Sequence, residues 1–251
     1  MADVLVITGA SRGIGAATAR LAARAGWNVV INYASDVNAA RAVARDVESA
    51  GRRAVTVHGD VANPADIEAI FAAADALGPV RGFFNNAGHV NTAARVDAYD
   101  AERLSRLFAV HVVGAMLCAG AAVRRMSTRH GGSGGAIVNM SSAASKMGAP
   151  GLYVDYAAAK GAIDTFTVGL ALEVAGEGVR VNAVRPGIID TEIHAAGGFP
   201  DRVAQVGSSL PMGRAGSAEE VAATVLWLLS EEASYVSGAS ISVGGGRGAV
   251  P

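Results

Sequence analysis

The stretch Thr8-Gly9-Ala10-Ser11-Arg12-Gly13-Ile14-Gly15, TGASRGIG, decides how this chain is read. It follows the short β-branched run DVLVIT at 3–8 and opens the alanine-rich GIGAATARLAARAG at 13–26. Strand, glycine turn and helix in that order set the free N–H groups and positive dipole end of a helix beside a turn with little side-chain bulk. That is an arrangement that accepts a pyrophosphate. Gly9, Gly13 and Gly15 let the backbone approach such a group, and Ser11, Arg12 and Ile14 belong to the same expected cofactor-binding turn. The spacing is G-x3-G-x-G, not the more common G-x-G-x-x-G.

Outward from this turn, strand-like and helix-like segments alternate. WNVVINY (27–33), RAVTVHG (53–59), VRGFFNNAG (80–88), GAIVNMSS (135–142), GVRVNAVRPG (178–187) and GASISVGG (238–245) join DVLVIT as strands. Helices are expected at 36–51, 64–78, about 100–125, about 154–176 and 217–230, with Pro64 at a first helical position and Gly51 and Gly78 as stops. Such alternation with short connections implies parallel strands joined by right-handed crossovers. The expected fold is α/β: a single doubly wound Rossmann-type domain over 1–251, a parallel seven-stranded sheet with helices on both faces. No compositional shift divides the chain, and GGSGG at 131–135 reads as a surface loop. The glycines and prolines of 188–216 suit a mobile lid over a substrate.

Hydrophobic residues make up 51% of the 251 and charged ones 17%, enough for a substantial core. A net charge of -1 without long like-charge runs argues against nucleic acid or an anionic membrane as partner. Cys118 is the single cysteine, so no internal disulfide forms and a reducing compartment fits. The N-terminus lacks a basic start followed by a long apolar stretch, and the expected location is cytoplasmic. LFAVHVVGAMLCAGAAV at 107–123 approaches a membrane span, but it holds His111 and two glycines and is flanked by Arg106, Arg124 and Arg125. Burial against a sheet on one side and a neighbouring subunit on the other explains it better. His58, His89, His130 and His194 have no metal-like spacing with each other or with Cys118, so no metal is expected.

The octapeptide YVDYAAAK, 153–160, carries the chemistry. Tyr156 and Lys160 lie one helical turn apart on one face. A nearby ammonium favours the phenolate and would draw the tyrosine down from about 10 toward a useful general acid/base. Tyr153 lies two turns from Lys160, about 10 Å along the axis, too far for direct tuning, and suits a substrate wall. At the end of the preceding strand stand Ser141 and Ser142, pointing to opposite faces, so only one of the two hydroxyls can face the same site as Tyr156.

With TGASRGIG, NNAG (Asn85–Gly88), Y-x3-K (Tyr156–Lys160) and RPG (Arg185–Gly187) in order over 3–246, the chain resembles a short-chain dehydrogenase/reductase. It looks most like the group of carrier-protein ketoreductases and sugar or alcohol dehydrogenases. The resemblance implies a nicotinamide-dependent interconversion of a small-molecule carbonyl and a secondary alcohol, and a homotetramer built on 107–123 and 161–175. It selects Ser142 over Ser141, gives Tyr156 the proton transfer and has Lys160 also hold the nicotinamide ribose. It places Asp60 and Val61 at the adenine, and Asn86, Ala87 and Gly88 along the cofactor channel. Pro186 and Gly187 join the cofactor site, with Ile189 and Thr191 at the nicotinamide carboxamide. The family's catalytic asparagine is replaced here by His111, whose backbone carbonyl can keep the asparagine's task of holding a water while its imidazole joins the relay or shifts the kink.

NAD-specific members carry an acidic residue where this chain has Tyr33. With no carboxylate before Asp36, Arg12 can meet a 2′-phosphate, helped by Asn32 or Ser35, and NADP(H) is expected in preference to NAD(H). Substrate contacts are expected from His89, His194, Tyr153, Ser142 and Tyr156, with Phe199 in the lid. Arg129 suits a carrier-protein ketoreductase and Glu177 does not. A lyase or epimerase, or a non-catalytic nucleotide sensor, are the competing readings on this fold.

Overall fold

The computed structural model describes residues 2–248. Its strands are β1 (Val4–Ile7), β2 (Asn28–Tyr33), β3 (Ala54–His58), β4 (Val80–Asn85), β5 (Gly135–Met140), β6 (Val179–Pro186) and β7 (Ser240–Val243). They pair in parallel as one sheet ordered β3-β2-β1-β4-β5-β6-β7. β1 is wholly apolar because both its faces are covered, and Val4, Leu5, Val6 and Ile7 are all fully buried.

The helices are α1 (Gly13–Arg24), α2 (Val37–Ser49), α3 (Pro64–Leu77), α4 (Ala101–Phe108), α5 (Ala115–Met126), α6 (Ala144–Met147), α7 (Val154–Val174), α8 (Ile193–Ala196), α9 (Arg202–Val206) and α10 (Ala218–Leu229). Strand alternation divides the core in two. Val6, Phe83 and Ile137 pack with Phe71, Met126 and Leu170 of α3, α5 and α7. Leu5, Ile7 and Val138 pack with Ala19, Val43 and Leu228 of α1, α2 and α10 on the opposite face. Helix starts follow local chemistry: Asp36 accepts from the Ala39 N–H, Asn63 caps ahead of Pro64, and Ser217 with Glu220 closes a capping box.

Two expectations change. The helix expected over 100–125 is broken by a π-helical segment, Ala109–Gly114, between α4 and α5. Gly114 runs tight against the loop after β3: a Cβ there would lie 2.4 Å from the Val61 carbonyl oxygen. Asn85 Nδ2 donates to the Ala115 carbonyl oxygen at 2.9 Å, so the buried backbone at the wider turn is satisfied by a side chain. Segment 188–216, expected as a mobile lid, contains two short helices, α8 and α9, and is pinned at its base where the Asp190 N–H donates to the Gly216 carbonyl oxygen and the Gly216 N–H to that of Ile188. The run Ala101–Met126 is long and apolar enough to cross a membrane by length and composition, yet half of its most apolar window is buried in the fold.

The strand order reverses between β1 and β4, so the turns leaving their C-terminal ends splay apart. The crevice between them is where doubly wound sheets bind ligands.

Candidate active site

The crevice is floored by backbone. Gly9 and Gly13 adopt φ of 62° and 53°, which side-chain-bearing residues rarely reach. A Cβ on Gly9 would stand 3.0 Å from Ala87 Cα, and one on Gly15 only 2.6 Å from the Gly9 carbonyl oxygen. Asn86 locks this floor, donating through Nδ2 to the Thr8 and Gly9 carbonyl oxygens at 2.8 and 2.9 Å. Gly13, Ile14, Ser11 and Arg12 line the crevice where α1 begins, and no side chain caps that helix. Its first N–H groups therefore remain available to an anion.

Most of the expected cofactor residues share this wall: Asn32 near the end of β2 and Ser35 after it, Asp60 and Val61 after β3, Ala87 and Gly88 after β4. Pro186, Gly187, Ile189 and Thr191 close the far side. Gly15 instead packs beneath the turn. Tyr33 does not line the crevice; its ring is buried and meets His58 edge-on at 5.6 Å. Asn32 corrects the expectation of a phosphate contact. Its Nδ2 donates to Gly59 and Val57 and its Oδ1 accepts from the Gly9 N–H, so its amide is spent on the turn. Asp36 caps α2, leaving exposed Arg12 and Ser35 at this end.

At the other end Ser142, Tyr156, Lys160 and His111 converge on the same crevice. Ser141 is buried with its Oγ donating to the Lys160 carbonyl oxygen at 3.3 Å, whereas Ser142 Oγ accepts from the Ala144 N–H at 3.1 Å and keeps its own proton for the crevice. The alternation across the end of β5 thus leaves Ser142 as the open hydroxyl. Lys160 is buried and its Nζ donates to the Met140 carbonyl oxygen at 2.6 Å, 5.5 Å from the centre of the Tyr156 ring.

Burial governs the titration here. It pushes Lys160 down to about 7 against the pull of Asp164, and pushes Tyr156 up to about 12 with Ser142 opposing. Burial thus acts on Tyr156 in the direction opposite to the lowering expected from the Lys160 ammonium.

His111 sits in the π-helical segment, buried, with its ring edge-on to Tyr156 at 5.3 Å. Its Nε2 lies 2.7 Å from the His89 carbonyl oxygen, a bond the ring donates in the Nε2–H tautomer. Nδ1 is buried without a partner. Burial, then the charges of Lys160 and His89, hold its pKa well below the usual range, so the ring is neutral. His89 and His194 also line the crevice. Tyr153 does not; it lines an adjoining pocket and donates its hydroxyl to the Gly197 carbonyl oxygen at 3.0 Å.

Several supporting residues escaped the sequence reading. Arg106 donates to Asp60 at 2.7 Å and lines the crevice. Asn139 receives Asn85 and donates to Thr167, a buried chain bracing β4, β5 and α7. An asparagine at the C-terminal end of each apolar strand was the available signal. Asp155 and Arg103, 2.7 Å apart, had none, since they come from separate segments. Among the described residues no group of three His, Cys, Asp or Glu gathers to hold a metal ion.

The family model described as Enoyl-(Acyl carrier protein) reductase matches residues 9–247. Uncharacterized oxidoreductase YgfF of Escherichia coli (strain K12) is 50% identical over 245 residues, covering 97% of this chain and 99% of its own. The crystal structure of acetoin dehydrogenase YohF from Salmonella typhimurium superposes with a TM-score of 0.89 at 36% identity, covering 98% and 96% of the two chains. The blue fluorescent protein from a metagenomic library, solved in complex with NADPH, has a TM-score of 0.89 at 31% identity, covering 99% and 98%. With a glycine turn at the sheet's switch point and Ser142, Tyr156 and Lys160 in one crevice, this chain belongs to the short-chain dehydrogenase/reductase family of NAD(P)-dependent oxidoreductases.

Proposed function

We propose that the protein reduces a small carbonyl compound to a secondary alcohol, or runs the reverse, with NADP(H) as its preferred dinucleotide. The observation that carries this reading is the convergence of Ser142, Tyr156 and Lys160 at one end of a crevice whose other end is the glycine turn.

The glycine turn and the start of α1 would hold the pyrophosphate, and Lys160 the nicotinamide ribose. The dinucleotide supplies or accepts hydride. Ser142, with its oxygen already accepting from Ala144, would donate a hydrogen bond that polarises the substrate carbonyl and keep its own proton. Tyr156, held protonated by burial, delivers the proton that completes the alcohol. His111 keeps its segment in place through His89 and remains uncharged.

NADP(H) preference is supported by exposed Arg12, by Ser35 and by the engagement of the nearest carboxylate, Asp36, in capping α2. Residues 1–251 act as one domain, with 188–216 as a lid over the substrate end. Exposed Val113, Met116 and Leu117 on one helical run, with Val168 and Leu172 on α7, support a homotetramer built on that face. Buried Cys118, its thiol raised to about 12 by burial, suits a reducing cytoplasm and takes no part in the chemistry.

The test is NADPH oxidation with a panel of ketones and aldehydes, run beside Tyr156→Phe. Turnover should fall by roughly 10²–10⁴-fold in the variant, the usual worth of a positioned acid. Failure of NADPH to raise the thermal midpoint would sink the reading.

A further inference from the structure

A second pocket opens beside the crevice under segment 188–216, and Ser142 and Tyr156 are common to the walls of both. Its size, about 240 Å³, lies below the ~300–1,000 Å³ of sites for drug-sized ligands, so a small molecule fits. Val90, Met147, Leu152, Ile188 and Ile193 make it largely apolar. Its charged side chains are two arginines, Arg202 and Arg247, and no carboxylate lines it.

The arginines arrive from separate parts of the chain. Arg202 opens α9, half-buried, with its guanidinium over the Phe199 ring at 5.2 Å. Its charge reaches both Tyr153 and His194 in the pocket wall. Arg247 follows β7 in a turn closed by its N–H on the Gly244 carbonyl oxygen, and a Cβ on the adjacent Gly248 would stand 3.1 Å from Ala143. Among the described residues neither arginine is in an ion pair, whereas Arg103, Arg106, Arg125, Arg185 and Arg214 all are. Two unneutralised guanidinium groups on an apolar pocket make poor company for a neutral ligand and good company for an anion.

We propose that the substrate carries a carboxylate on a short apolar body, with Arg202 and Arg247 as the residues that select it. This rests on the oxidoreductase reading above for the place of the reacting carbonyl, at Ser142 and Tyr156. The apolar walls hold the body, and the guanidinium groups take the carboxylate through charge-assisted hydrogen bonds.

Binding and turnover test the idea separately. With saturating dinucleotide present, calorimetry compares pentanoate with pentanamide, neither of which offers a ketone. Pentanoate should bind at least about tenfold tighter, the order expected for a hydrogen bond to a charged group. The preference should vanish in Arg202→Ala, shrink in Arg247→Ala and return in part in Arg202→Lys. Equal binding of acid and amide to the wild type overturns the proposal whatever the activity. In turnover, 4-oxopentanoate should exceed 2-pentanone in kcat/KM by roughly 10–100-fold, chiefly through KM, and that ratio should collapse toward one in Arg202→Ala. Turnover of both ketones without preference defeats this proposal and leaves the oxidoreductase reading standing. Selective binding of pentanoate without turnover of any carbonyl does the reverse.

Discussion

The backbone N–H of Tyr156 donates to the Asp155 carboxylate at 2.9 Å, and Arg103 grips that enclosed carboxylate from α4 at 2.7 Å. The turn bearing the proposed acid is thereby tied to a helix on the other side of the π-helical segment. Arg103→Ala strands a buried charge and should cost about 3–5 kcal/mol in urea unfolding, with Asp155→Asn costing less. Burial raises the Asp155 pKa, but Arg103 and the Tyr156 N–H outweigh it and the net shift is downward from 3.8. Its stabilisation is therefore complete above pH 3.8 and lost as pH falls through the lower folded value. The stability gap between wild type and Asp155→Asn should narrow at the acid end; a constant gap would exclude the ionic account.

Lys160 gives the opposite pH signature. Its folded pKa of about 7 lies below the ordinary 10.5, so between these values the unfolded chain holds a proton that the folded one releases. Stability contributed by this site should rise from pH 7 toward 10.5, and Lys160→Met should flatten that rise. Parallel thermal-midpoint curves for the two proteins would contradict the burial argument.

His111→Asn should leave turnover within about tenfold, against the ~10²–10⁴ expected of a group that transfers the proton. The imidazole is already neutral and touches Tyr156 only by its ring edge. Rate profiles of variant and wild type between about pH 6 and 8 should share one shape, because His111 titrates below the usual histidine range. Complete loss of turnover would mean that the imidazole itself is required.

Arg12→Ala should weaken NADPH binding by roughly tenfold, the order of one charge-assisted hydrogen bond, and leave NADH binding within about twofold. Equal losses for both dinucleotides in a fluorescence titration would assign Arg12 to the shared pyrophosphate instead.

Some of the site was legible because its residues are close in sequence. Helical spacing alone puts Tyr156 and Lys160 on one face, and strand alternation alone separates Ser141 from Ser142. For Asn32 and Tyr33, position along β2 does not say where a side chain goes or what its hydrogen bonds are spent on. One amide is spent on Gly59 and Val57, and one ring turns into the core beside His58. Lys160 shows the same limit: its spacing to Tyr156 was visible, but not the burial that works against the expected effect.

Local order in the sequence determined the seven-stranded parallel fold, the glycine turn and the shared helical face of Tyr156 and Lys160, because each depends on short-range periodicity and turn chemistry; the choice of Ser142 came from the family resemblance. Tertiary structure alone decided the π-helical break around His111, the Arg103–Asp155 pair and the placing of Arg202 and Arg247 in the wall of one pocket with Ser142 and Tyr156. These arise between segments distant along the chain, where packing and desolvation settle which contact forms and which charge survives.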